Sequence, residues 1–79
     1  MPINLFDAKF DCLLAVTAVQ GLSDDSEIVL RQMGIFPERT IAKIHAAPLG
    51  DPVTIKIGGQ QFALRKEICR HIFVRECSA

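Results

Sequence analysis

A chain of 79 residues, 49% apolar, with nine basic and nine acidic side chains, is bounded to one small domain (1–79) with a thin core. Balanced charge leaves no footprint for nucleic acid, and no apolar run approaches the ~20 residues that span a bilayer. Cys12, Cys69 and Cys77 are odd in number and lack motif spacing, which argues against a disulfide framework and for a reducing compartment.

Residues 2–11 alternate loosely, with Ile3, Leu5, Phe6 and Phe10 available for burial, and are expected to form a turn or a single helical turn docked on the core. No basic region precedes a long apolar run there, so no leader is read and the cytoplasm is the expected location. Residues 12–20 are rich in apolar and β-branched side chains and predict a strand ended by Gly21. Neither face is cleanly polar, which predicts curvature or a bulge. Residues 22–26, Leu-Ser-Asp-Asp-Ser, offer a cap and acidic side chains for a helix start. The helix is predicted over 27–33, about two turns, with Leu30 and Met33 on one face and Gly34 as its left-handed terminator. Ile35 and Phe36 continue the apolar seam, and Pro37 opens a turn into a strand over 39–46.

The stretch 47–65 carries the strongest local signal. Val53, Ile55 and Ile57 alternate with Thr54 and Lys56, Gly58-Gly59 follows, and Phe62 and Leu64 sit two apart. A two-residue glycine loop predicts a hairpin that pairs Ile57 with Gln60, Ile55 with Phe62 and Val53 with Leu64. Extending the same rule backward makes 48–51 a four-residue loop pairing Ala47 with Pro52. Ala46 then opposes Val53, Ile44 opposes Ile55 and Ala42 opposes Ile57 on the inner face. Lys43 meets Lys56 on the outer face, a mildly unfavourable like-charge pair. Residues 66–71 have helical character with Ile68, Cys69 and Ile72 pointing inward, and 72–75 close the chain as a strand. Five short strands and one short helix around so small a core predict a mainly β fold, a partly open SH3-like barrel.

Chemistry is sparse. Cys69-x-His71 is the only close pair of soft ligands and fits no structural zinc spacing; His45 is expected on the outer face, away from Cys69. No metal site within the monomer is therefore expected, and a surface site shared between molecules stays open. No nucleophile elbow or phosphate loop is present, Gly58-Gly59 being explained by its turn, and no cofactor is implied. The five phenylalanines have no Tyr or Trp companions, which leaves no stacking platform and weakens a proline-rich peptide reader. Charge is uneven: two basic and six acidic side chains up to Glu38, seven basic and three acidic from Arg39 onward. This is an ordinary solvated surface or a basic face for an acidic partner. The remaining exposed feature is the corner Pro48-Leu49-Gly50-Asp51-Pro52. Its two prolines either pre-organise Leu49 for docking or simply stiffen a turn.

Met33-Gly34-Ile35-x-Pro37, Ala47-Pro48-Leu49-Gly50-Asp51-Pro52, Ala63-Leu64-Arg65-Lys66 and Ile72-x-Val74 stand in an order and spacing that resembles the FeoA family, small accessory proteins of bacterial ferrous iron transport. The amino end, Leu5-x-Asp7-Ala8-Lys9, matches more loosely. The family usually has glycine where Glu38 stands, Pro-Gly where Phe10-Asp11 stand, and alanine where Cys69 stands. The resemblance implies a non-enzymatic cytoplasmic protein that works with FeoB, the membrane transporter with a cytoplasmic GTP-binding domain. Leu49, Asp51, Arg65 and Lys66 are the expected contact residues, chosen by exposure. The alternative is a ferrous iron carrier or sensor, since related SH3-like modules end iron-dependent repressors. No DNA-reading helix precedes the barrel here.

Overall fold

The computed structural model describes residues 3–77. In chain order these form β1 (Ile3–Asn4), a 3-10 turn (Leu5–Asp7), β2 (Leu13–Val19), α1 (Asp24–Met33) and β3 (Thr40–Ala46). The second half forms β4 (Val53–Ile57), β5 (Gln60–Leu64), α2 (Lys66–Cys69) and β6 (Ile72–Glu76). All pairings are antiparallel, and the order β1-β6-β2-β3-β4-β5 leaves β1 and β5 as the two edges of an open sheet. Among the described residues the strand count is six rather than five. The added strand is the two-residue β1, which sequence periodicity cannot show because two residues have no period.

One row of side chains from each long strand fills the interior. Leu14, Val16, Ile41, Val53, Ile55, Ile72 and Val74 are essentially inaccessible, and Leu5, Leu30 and Ile35 close the ends. The β4–β5 hairpin has the expected register, Ile57 with Gln60, Ile55 with Phe62 and Val53 with Leu64. Gly58 takes the positive φ of 59° that the loop needs. The predicted irregularity in β2 is a bulge between Val16 and Ala18 against β6, which curls the sheet.

The β3–β4 register departs from expectation. Ala46 does face Val53, and the Ala47 N–H donates to Pro52 O at 3.0 Å. Between Lys43 and His45 the register then slips by one at Ile44, so Lys43 faces Ile55 and Ala42 faces Lys56. Ile41 and Lys43 turn inward instead of Ala42 and Ile44, and Lys43 does not meet Lys56. The reason lies on the other side of β3. There Ile41 pairs with Leu14 of β2, and burying that isoleucine removes more apolar surface from water than burying Ala42. A bulge satisfies both neighbours at once.

Helix α1 begins three residues earlier than predicted, because Ser23 is the cap: its Oγ accepts from the Ser26 N–H at 3.2 Å. Asp24, Asp25 and Glu27 then fall in the first turn, where the helix dipole favours acids. Gly34 ends the helix at φ 99°, and the Ile35 N–H returns to Leu30 O. The predicted helical segment 66–71 is shorter, Lys66–Cys69.

Candidate functional site

The corner between β3 and β4 is built as a tight turn. The Gly50 N–H donates to Ala47 O at 2.7 Å, Pro48 holds the second position, and Gly50 takes φ 85°. The Asp51–Pro52 peptide is cis. Leu49 at the tip is 95% exposed and rests on nothing. Asp51 points the other way. Its Oδ1 accepts from the Lys66 N–H at 3.0 Å, and its Oδ2 lies 3.7 Å from Arg65 Nε. Arg65, at the N-cap of α2, supplies no side-chain cap of its own, so Asp51 caps that helix from 15 residues away.

Three of the four sequence-predicted residues, Asp51, Arg65 and Lys66, are thus brought together, and Leu49 projects beyond them. The Asp51 clamp ties the corner to the turn that follows β5. The Phe6 ring adds a second brace, since it lies beside Gly50 and under the Arg70 guanidinium at 5.0 Å.

Behind the corner sits a residue whose role the sequence did not show. Lys43 is only 3% exposed, and its Nζ donates to Phe6 O at 2.6 Å and Ala8 O at 2.9 Å, with the Phe10 ring 4.3 Å away. Its own carbonyl accepts from the Asp11 N–H at 2.8 Å. One lysine therefore fastens the segment 6–11 across the barrel. Burial lowers the Lys43 pKa below its ordinary value, and the nearby Cys69 and Asp7 oppose that shift. Burial likewise pushes the Cys69 thiol up to about 11. Such a thiol stays protonated and packs as a small apolar group.

The sequence reading also missed a groove of about 410 Å³ between α1 and the end of β5, lined by Val29, Met33, Ala63 and Ile68 with Asp25 and Arg65 among them. A signal was present. Ile28-Val29-Leu30 are three consecutive apolar residues, and a helix cannot bury all three on one stripe. Leu30 goes inward, while Ile28 and Val29 are 52% and 53% exposed. Among the described residues, no three His, Cys, Asp or Glu side chains gather at a spacing that would hold a metal ion, and no helix is long and apolar enough to cross a membrane.

Comparison with known proteins decides the family. The FeoA domain model matches residues 5–76. The chain belongs to the FeoA family. Membership agrees with a solved structure described as an iron uptake regulatory protein (FeoA), 25% identical, with a TM-score of 0.83 over 98% of this chain and 99% of that one. An iron(II) transport protein A from Clostridium thermocellum is 28% identical with a TM-score of 0.83, covering 94% of this chain and 45% of that one. FeoA of Stenotrophomonas maltophilia, described as a procaryotic SH3 domain protein complexed with zinc, is 24% identical. Its TM-score is 0.76 over 92% of this chain and 89% of that one, and at that identity it bears on the fold alone. A search of curated proteins returned no match. The SH3-like architecture expected from the sequence is thus the architecture of this FeoA domain, with the sheet left open.

Glu38 and Asp11, where the family usually carries glycine, keep the backbone that glycine would favour, at φ 76° and 60°. The conformation is held from outside: the Glu38 N–H donates to Val16 O at 2.7 Å, and the Asp11 N–H to Lys43 O. Tertiary bonds override the local preference of these two side chains.

Proposed function

We propose that this FeoA domain is a non-enzymatic cytoplasmic accessory of ferrous iron uptake. It docks on the cytoplasmic GTP-binding part of the FeoB transporter and modulates its assembly or nucleotide cycle. The supporting observation is Leu49: a fully presented leucine on a turn that Pro48, Asp51 and the Phe6 ring hold in one shape. A side chain displayed on a rigid turn loses little freedom on binding, so its apolar burial is retained as affinity. Arg65 and Lys66 beside it give the surface a basic rim for an acidic counterpart.

The test is co-purification with the soluble GTP-binding domain of the transporter, with and without nucleotide. Leu49→Asp is expected to unfold within about 0.5 kcal/mol of the parent, since Leu49 makes no packing contact. The same variant is expected to lose at least about tenfold in affinity, the cost of one buried anchor. Equal capture of the transporter domain by parent and variant would defeat the docking role of the corner.

A further inference from the structure

The two edges of the sheet are managed differently. Among the described residues β1 is two residues long, too short to template another strand. β5 is five residues long, and Gln60–Leu64 contains no charged side chain, no proline and no bulge, the usual devices that blunt an edge. In an antiparallel ladder alternate residues turn their backbone groups outward, and the pair closing a two-residue loop is hydrogen-bonded. Gln60, Phe62 and Leu64 therefore bond to β4, while Gln61 and Ala63 direct N–H and C=O away from it. Among the described residues neither has a backbone hydrogen bond to any other element. The apolar groove beside α1 runs past this edge at Ala63.

We propose that the groove between α1 and β5 receives an extended segment of a partner protein, which adds to β5 as a further strand. The occupant is fixed by what the site offers. A helix laid in the groove would cover the outward backbone groups of Ala63 without pairing them, whereas an extended chain pairs them and, continued beyond the lining, those of Gln61 as well. The groove follows α1 from Asp25 to Met33, about 12 Å at the helical rise, which matches three to four extended residues. Apolar side chains at alternate positions of the segment then meet Val29, Met33 and Ile68. Asp25 is the acidic group of the lining and belongs to the acidic first turn of α1, so a Lys or Arg in the segment completes the match. Arg65, on the same lining, is paired with Asp51 and joins this surface to the corner. The inference goes beyond the docking reading and stands on the strand edge, not on Leu49.

The test uses the whole chain and a display library of linear 12-residue peptides, followed by fluorescence anisotropy of an enriched peptide. Enrichment of apolar residues at every second position with a neighbouring Lys or Arg is expected. Ala63→Pro removes an outward N–H without removing a bond to β4, and Val29→Asp charges the groove at an exposed site. Each is expected to weaken the enriched peptide at least tenfold, while Leu49→Asp leaves it within twofold. Should Ala63→Pro fail to fold, Val29→Asp alone decides. Absence of enrichment, enrichment at helical spacing, or unchanged affinity in the folded variants overturns the proposal. A concentration-dependent dimer of the parent that Ala63→Pro abolishes also overturns it, because the occupant would then be a second copy.

Discussion

Lys43 sits where alternation along β3 would place a core aliphatic, and its charge is met by the carbonyls of Phe6 and Ala8 and the face of Phe10. Deleting the ammonium while keeping the stem leaves one buried and one partly buried carbonyl without that donor. Lys43→Met is expected to destabilise the fold by about 2–3 kcal/mol, the range for losing hydrogen bonds to a charged donor. Amide exchange should show the loss of protection concentrated in residues 6–11 if the lysine fastens that segment. Glu38 provides the opposite case, a side chain in a left-handed backbone that disfavours it. Glu38→Gly is expected to raise stability by about 0.5–1 kcal/mol in denaturant unfolding, once the gain in unfolded-state entropy is set against the relieved strain. A fall in stability would mean that the carboxylate makes a contribution the backbone argument omits.

Among the elements, α2 is the most dependent on its surroundings. Four residues cannot sustain a helix alone, and its first N–H is satisfied from the corner by Asp51. Asp51→Ala is expected to cost about 1 kcal/mol, the usual loss of a capping side chain, and to loosen the corner together with α2. The measurement is thermal unfolding combined with amide shifts at residues 47–52 and 65–70; shifts confined to one of the two segments would contradict the clamp. The same coupling makes Leu49 a cleaner probe of docking than Asp51, because a loss of binding in Asp51→Ala would mix contact with fold.

At the scale of the whole molecule, the interior among the described residues holds one ionisable thiol and one ionisable amine that respond to alkali in opposite directions. The folded pKa of Cys69 lies at about 11 against an ordinary 9.0, so folding favours the protonated thiol. Its contribution is fully present below pH 9 and is lost as pH rises through 11. Lys43 has its pKa lowered by burial, so folding favours the neutral amine and its contribution becomes more favourable as pH rises. Comparing parent with Cys69→Ala removes the thiol together with its coulombic coupling to Lys43. Between pH 8 and pH 10.5 the parent is expected to lose about 2 kcal/mol more than the variant, from the linkage between the two thiol pKa values. Equal losses would show that the thiol ionises as freely in the folded chain as in the unfolded one.

Local chemistry by itself determined the β4–β5 hairpin, the Gly34 terminus of α1 and the proline-bounded corner, because glycine conformation, period-two burial and proline geometry act between residues close in sequence. The blocks around those features also carried the family. Only the tertiary structure decided the inward turn of Lys43, the Asp51 cap on α2 and the left-handed backbone at Glu38. Each depends on a partner distant along the chain: β2 sets the register of β3 beyond the bulge, and Phe6, Ala8 and Val16 supply bonds that no window around positions 38 or 43 contains. The open edge of β5 belongs to the same class, since whether a strand has a second neighbour is a property of the assembled sheet.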